Sequence, residues 1–366
     1  MKMAMLLILL LPLLGITYIG WHLWCLLPLP AGFRLFIIAC CAASFALIFL
    51  NFNRTIDHWP MWLARINYEV GSSSVFILLY MVLIFLALDL GRLLHIVPRH
   101  LLYQNVYTSV AVTLTIFFIF LLGNIRYHHK QRVELSLQTE KALEKPMKLL
   151  MVSDLHLGYH NPRKELRRWV DMFNAEQPDL VLIAGDLIDM SLRPLEEENM
   201  AEELRRISAP VYACLGNHEF YSNKTAAQKF IETSGIHLLN DSSVTIDSIT
   251  IIGRDDRTNM HRRPLSELTE KADMNRYTIL LDHQPYHLEE AEQAGIDLQF
   301  SGHTHHGQVW PISWITDAVY ECAYGEHQRG RTRYYVSSGL GIWGGKFRIG
   351  TQSEYVVATL SPTINP

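Results

Sequence analysis

Ser301-Gly302-His303-Thr304-His305-His306-Gly307-Gln308 places three histidines in eight residues, between two glycines and just past an apolar run ending at Phe300. Neutral imidazole is the commonest metal ligand, and an alternating His-x-His pair can aim two ring nitrogens at one point. The alternative is a solvated histidine-rich turn. What decides between them is whether other strand ends supply carboxylates to the same place.

Working outward, residues 147–153 read as an apolar strand that ends in Asp154-Leu155-His156, whose first and third side chains share one side of an extended chain. Residues 165–173 predict a helix carrying Leu166, Trp169, Val170 and Phe173 on one face. A second buried strand, 179–184, ends in Gly185-Asp186-Leu187-Ile188-Asp189, and a helix over 196–207 follows. A third strand, 210–215, runs into Gly216-Asn217-His218-Glu219; a fourth, 277–281, into Asp282-His283-Gln284-Pro285; and 297–300 into the histidine-rich loop. An apolar strand with a ligand-type residue at its C-terminal end recurs five times, and open α/β sheets place their sites at that edge. The repetition argues against the solvated turn. Cys214, close before Asn217, reads as a buried strand cysteine rather than a ligand.

These five blocks, in this order, resemble the calcineurin-like metallophosphoesterase superfamily over about 146–360. Within it they look most like bacterial membrane-associated phosphohydrolases, whose last block reads Gly-His-Thr-His-Gly-Gly-Gln; here His306 stands for the first of those glycines. The resemblance implies an α/β fold, a four-layer sandwich of two β-sheets flanked by helices. It also implies two divalent metal ions, one held by Asp154, His156, Asp186 and His305, the other by Asp186, Asn217, His283 and His303, with Asp186 bridging. His218, oriented by Asp189, is then the catalytic residue that reaches the scissile phosphate, while His306 is no ligand and is expected to face substrate or solvent. The residue types suit that chemistry in their own right: paired ions activate water and offset phosphate charge, and oxygen and nitrogen ligation without thiolate suits Mn, Fe or Zn better than Ca.

The chain has 366 residues, 49% of them hydrophobic and only 19% charged, with the acidic residues concentrated after Arg132. A net charge of -4 speaks against a nucleic-acid partner, and five unpatterned cysteines form no disulfide framework. Four apolar runs, 3–27, 33–50, 75–97 and 106–122, are long enough to cross a bilayer. Lys2, Arg54, Arg65, Arg126, Lys130 and Arg132 fall on one side of them and Arg34 and Arg99 on the other, so the positive-inside rule places both termini in the cytoplasm. Asp89, Arg92 and His95 recur at helical spacing near the end of the third run, where Asp89 and Arg92 can pair. Trp59, Trp62 and Tyr68 read as an interfacial segment before that run. The expected organisation is a four-helix transmembrane region over 1–125, a polar, helix-prone linker over 126–145 and a catalytic domain over 146–366.

Three further stretches bear on substrate. Residues 309–320, with Trp310 and Trp314, are apolar beside a site that must be wet, which suits either lipid contact or packing on the protein's own core. The glycine-rich 337–348 turn, with Lys346 or Arg348, offers a phosphate cradle or is only a turn. Gly253-Arg254-Asp255-Asp256-Arg257 is a candidate for the cleft rim. The resulting expectation is a multi-pass inner-membrane phosphohydrolase with its catalytic domain on the cytoplasmic side. Its partners are membrane lipids and a phosphorylated small-molecule or lipid-linked substrate, with UDP-diacylglucosamine as the named case. Hydrolysis of a soluble phosphodiester or phosphoprotein by an anchored enzyme is the alternative within enzymes; a catalytically silent metal-binding membrane sensor is the alternative outside them.

Overall fold

A computed structural model describes residues 2–363, with side chains from residue 11 onward. The chain divides into two compact units, one holding the N-terminal helices up to Ile125 together with Gly344–Phe347, the other Arg126–Trp343 and the residues from Arg348 on.

The first unit is built from α1 (Lys2–Leu26), α2 (Ala31–Phe52), α3 (Met61–Leu93) and most of α4 (Val106–His128). The last three are long and apolar enough to cross a membrane, and the described part of α1, Leu11–Leu26, is a shorter apolar helix. α3 starts well before the predicted run, so Trp62 and Tyr68 lie in its N-terminal part. The expected pairing of Asp89 with Arg92 is not formed. Asp89 instead accepts from Tyr18 Oη at 2.6 Å and faces His22 Nε2 at 3.1 Å, so its partners come from α1.

The second unit carries twelve strands: β1 (Lys130–Thr139), β2 (Met147–Val152), β3 (Leu180–Ala184), β4 (Val211–Cys214), β5 (His237–Leu238), β6 (Ser242–Ile246), β7 (Ile249–Gly253), β8 (Tyr277–Leu281), β9 (Leu298–Ser301), β10 (Gly325–Arg329), β11 (Thr332–Val336) and β12 (Ser353–Pro362). They form two six-stranded sheets, ordered β1-β12-β2-β3-β4-β5 and β10-β11-β9-β8-β7-β6. The strands that end at the histidine and carboxylate blocks run parallel within each sheet, β2 to β5 in one and β7, β8, β9 and β11 in the other. Their C-terminal ends therefore gather along a common edge in each sheet.

Strand alternation explains the layers. Leu149 and Met151 of β2 pack with Ile249, Ile279 and Phe300 of the second sheet, filling the space between the sheets. Leu150 and Val152 point the other way, onto Leu166, Trp169, Val170 and Phe173 of the helix Arg163–Ala175. On the far side, Ile252 and Leu280 meet Leu265, Leu268 and Leu288. Near-continuous apolar strands are what a sheet covered on both faces requires, and the result is a helix, sheet, sheet, helix sandwich.

Two local expectations fail here. The polar linker over 126–145 is not a helix: β1 lies parallel to β12 in register from Lys130 opposite Ser353 to Thr139 opposite Pro362. The cause is a period of two in which Leu135, Leu137 and Thr139 are buried and Glu134, Ser136 and Gln138 exposed. The helix predicted over 196–207 is two short ones, Arg193–Glu197 and Met200–Leu204, broken at Asn199 with φ 52°.

Candidate metal centre

Five strand ends bring the predicted residues to one place. Asp154 and His156 follow β2, Asp186 and Asp189 follow β3, Asn217 and His218 follow β4, His283 follows β8, and His303 and His305 follow β9. Three groups of side chains result, each with its ligand atoms within 4.8 Å of one another: Asp154, His156 and His305; Asp186, His283 and His303; and His156, Asp189 and His218. Asn217 Oδ1 lies between the two histidines of the second group, 2.8 Å from His303 Nδ1 and 3.2 Å from His283 Nε2. Asp186 Oδ2 stands 3.1 Å from His283 Nε2 and 3.6 Å from His156 Nε2, so it faces both clusters. Asp189 Oδ1 is shared, 3.2 Å from His156 Nδ1 and 3.4 Å from His218 Nδ1.

The backbone here is bent into an unusual conformation. Asp154, His156, Asp186, His303 and His305 all have φ between 44° and 71°, a left-handed region that costs non-glycine residues about 1–3 kcal/mol each and clusters at functional sites. Glycines make the approach possible. A Cβ on Gly216 would lie 2.1 Å from Asp186 Oδ1, and one on Gly302 2.2 Å from Asp154 Oδ2.

The electrostatics suit a cation. Burial opposes ionisation of Asp154 and Asp186, yet His305 beside the first and His283 beside the second hold both carboxyls well below their usual range. Burial also works against a charged His156, but hydrogen bonding to Asp154 and Asp189 pushes it up to about 10. Burial, helped by charge on His283, brings His303 down to about 4, and burial, helped by charge on His156 and Arg348, brings His305 down to about 3, leaving them neutral donors. His156 Nε2 and His305 Nε2 face each other at 3.1 Å with Asp154 Oδ1 3.5 Å from the latter. Two imidazole nitrogens turned toward each other beside an anionic oxygen are poor mutual partners and good common ligands. The donor set fits divalent cations.

Several supports were not read from the sequence. Glu219 accepts from the backbone N–H groups of Asp186 at 3.1 Å, Ile188 at 2.9 Å and Gly216 at 2.7 Å, tying the β3 exit to the β4 exit; burial raises its carboxyl to about 7. Its spacing three residues after Gly216 is that of a helix-capping residue, a signal that was available. Asn161 Nδ2 donates to the carbonyls of Leu155 and His156 at 3.1 and 3.0 Å, and its Oδ1 accepts from Tyr127 Oη at 2.7 Å. No motif announces either contact.

Of the two readings of 337–348, a phosphate cradle or only a turn, the basic side chains do not serve the first. Arg348 is fully buried, its guanidinium spent on Ser353 Oγ and on the carbonyls of His305, Ser338, Gly339 and Gly341. Lys346 belongs to the first unit, where it pairs with Glu69 at 3.4 Å. His306 turns neither to the metal-ligand groups nor freely to solvent. It stacks on Tyr324 at 4.8 Å and meets Asp317 Oδ1 at 3.3 Å, because its left-handed backbone swings the ring toward the helix Ile312–Val319. Cys214 is buried in β4.

With this geometry on hand, residues 147–307 match the family of calcineurin-like phosphoesterases. An uncharacterized metallophosphoesterase of Helicobacter pylori J99 is 30% identical over 226 residues, 60% of this chain and 61% of that protein. A transmembrane protein with metallophosphoesterase domain from Danio rerio is 28% identical over 328 residues, 82% of this chain and 74% of that protein. An uncharacterized metallophosphoesterase of Bacillus subtilis is 28% identical over 265 residues, 66% of this chain and 90% of its own length. The chain spans about three fifths of the length of the Helicobacter and Campylobacter relatives it matches. The family implies divalent metal ions.

Proposed function

We propose that the protein is a membrane-anchored, metal-dependent phosphohydrolase that cleaves a phosphodiester or pyrophosphate bond by attack of water. The observation that carries this reading is the convergence of two His/Asp clusters that both face Asp186, with His218 beside them on Asp189. One ion would be held by Asp154, His156, Asp186 and His305 and the second by Asp186, Asn217, His283 and His303. When bound, a pair of Mn, Fe or Zn ions supplies charge neutralisation and acidifies coordinated water. The chain's own part is to orient and to move a proton. Asp189 sets the His218 ring, and protonated His218 donates to the oxygen of the departing group. A silent binding module has no use for His218 held in that position.

The membrane part of the reading rests on the apolar helices and on the transmembrane relatives in zebrafish and cattle. The distribution of Lys and Arg supports an inner-membrane location with the catalytic domain in the cytoplasm. Trp310 and Trp314, 41% and 65% exposed, favour a lipid-linked substrate over a soluble one, and UDP-diacylglucosamine combines the lipid, the nucleotide and the pyrophosphate that the reading calls for. The test is hydrolysis of bis(p-nitrophenyl) phosphate and of UDP-diacylglucosamine by the full-length, Mn-loaded protein. His218→Ala is expected to lower kcat by roughly 10²–10⁴, and Asn217→Ala to reduce Mn affinity. No hydrolysis of either compound by the wild type, or wild-type rates in both variants, would overturn the enzyme reading; a C-terminal reporter active only outside the cytoplasm would overturn the topology.

A further inference from the structure

The loop after β7 is dense in charge, and most of its charged groups are ion-paired or hydrogen-bonded locally. Arg254 Nη1 donates to Asp282 Oδ2 at 3.3 Å and to Glu290 Oε2 at 2.6 Å, and Arg262 Nη1 to Asp282 Oδ1 at 3.1 Å. Asp255 Oδ2 accepts from Lys224 Nζ at 2.6 Å and from Asn259 Nδ2 at 2.8 Å. Asp256 accepts from Gln284 Nε2 with both oxygens, at 3.0 and 2.9 Å, and from Thr258 Oγ1 at 2.6 Å. Arg257 differs. Among the described residues no carboxylate lies within the 4.0 Å of an ion pair, and its guanidinium is instead 4.3 Å from the centroid of the Tyr286 ring. A cation–π contact steadies a guanidinium without cancelling its charge.

The placement of that charge links it to the metal-ligand cluster. Tyr286 follows His283 by three residues and packs on Tyr320 with ring centroids 4.7 Å apart and hydroxyls 3.0 Å apart. Tyr320 in turn presents its ring to His303 at 6.3 Å, and His303 lies against Asn217. The other anchor of the loop, Gln284 on Asp256, is the residue next to His283. Both supports of Arg257 thus come from the β8 exit that carries a candidate ligand, and a half-buried, unneutralised cation stands at the end of a two-tyrosine shelf leading to the centre.

We infer that Arg257, on the Tyr286 and Tyr320 shelf, receives a second anionic group of the substrate, so that the site selects phosphodiesters or anhydrides carrying a further phosphate over those with neutral flanks. This rests on the reading that the reacting phosphate sits at the His/Asp clusters. Arginine suits the task because its planar fork binds phosphate oxygens in pairs, which a lysine cannot reproduce. The two tilted rings contribute an aromatic floor for whatever joins the two charges.

The test compares full-length, Mn-loaded wild type with Arg257→Ala and Arg257→Lys on two esters: bis(p-nitrophenyl) phosphate, with one negative charge, and UDP-glucose, with two in its diphosphate. One charge-assisted contact of about 1.5–3 kcal/mol corresponds to a roughly 10- to 100-fold effect. The expected result is that Arg257→Ala loses at least tenfold more kcat/KM on the diphosphate than on the monoanionic ester, with Arg257→Lys between it and wild type. Equal losses on both esters, or none on either, overturn the inference. A direct readout separates it from the hydrolase reading: inorganic pyrophosphate binding to the Mn-loaded protein by calorimetry. If wild type cleaves neither ester, the hydrolase reading fails, while a tenfold weaker pyrophosphate affinity in Arg257→Ala still supports the receptor and an unchanged affinity refutes it.

Discussion

Replacing Arg348 by methionine keeps the length of the side chain and removes every hydrogen bond it makes. The guanidinium reaches four carbonyls, and their fates differ. His305 O still accepts from Gln308 N at 2.9 Å and Gly339 O from Glu354 N at 3.1 Å, whereas Ser338 O and Gly341 O have no other donor among the described residues. A buried polar group left unpaired costs about 1–3 kcal/mol, and a carbonyl that loses one of two donors about 0.5–1.5 kcal/mol. The central expectation for Arg348→Met is therefore a loss of about 6 kcal/mol, a large share of the ~5–15 kcal/mol that holds a domain folded. In a domain of this size that corresponds to roughly 12–24 °C in melting temperature. Arg348→Lys should lose about half as much, since an ammonium can serve three acceptors at most. Thermal melting of the full-length chain in detergent, followed by fluorescence, measures both. A methionine variant melting within 2 °C of wild type, a shift of well under about 1 kcal/mol, would show that these carbonyls find partners without the arginine and would refute the reasoning.

Two further outcomes follow from surface features. Glu203, whose side chain is only 3% exposed, is hydrogen-bonded by Arg167, Arg206 and Arg163, first among them Arg167, and these bring its carboxyl down to about 2. A folded-state value below the unfolded one stabilises above about pH 4.5 and ceases to as the pH falls through about 2. With half-exposed arginines the effect is discounted, so Glu203→Gln is expected to cost about 1–2 kcal/mol at pH 7, with the difference from wild type closing below pH 4 in urea titrations. Replacing Trp310 and Trp314 together by alanine should raise KM roughly tenfold on a bilayer-presented substrate, about 1.4 kcal/mol, and by a clearly smaller factor on a soluble aryl diester. Equal changes would remove the lipid-contact role.

How much of this was legible in the sequence depends on the length scale of each interaction. The ligand blocks read well because strand, turn and ligand are adjacent in the chain, and five repetitions leave little freedom. The apolar helices read well for the same reason, although the start of α3 was hidden by Asn67, Glu69 and the serines after Gly71, which do not look like a membrane span. β1 was missed because its charged residues suit a helix surface as well as a strand face; only pairing with β12, more than 200 residues on, decides the period. Asp89 was assigned its neighbour Arg92 because local pairs are visible and the Tyr18 and His22 contacts across two helices are not. Arg348 was left open between a phosphate cradle and a plain turn because an arginine in a glycine-rich stretch suits either; burial assigns its donors to carbonyls.

The ligands and their supports divide in a way that the backbone explains. Five candidate ligands sit in a left-handed conformation that the chain disfavours, and a strained backbone persists only when its surroundings over-determine it. The surroundings here are three side chains whose partners are largely main-chain atoms. Glu219 collects N–H groups at the Asp186 turn, Asn161 takes the carbonyls of the Asp154 to His156 turn, and Arg348 takes carbonyls at the His305 turn. Each strained block thus has one buried polar residue of complementary hydrogen-bonding type: an acceptor where N–H groups converge, donors where carbonyls do. Motif spacing specifies the atoms that would touch a metal, whereas these three residues specify the turns that aim them, and they come from distant parts of the chain. Asn161 in turn accepts from Tyr127, fully buried in the last turn of α4. The Asp154 to His156 turn is therefore held through a hydrogen-bond chain that begins at Tyr127, well before the first ligand block, so the geometry of the candidate centre depends on residues outside the motif blocks as well as on the sheets that carry its ligands.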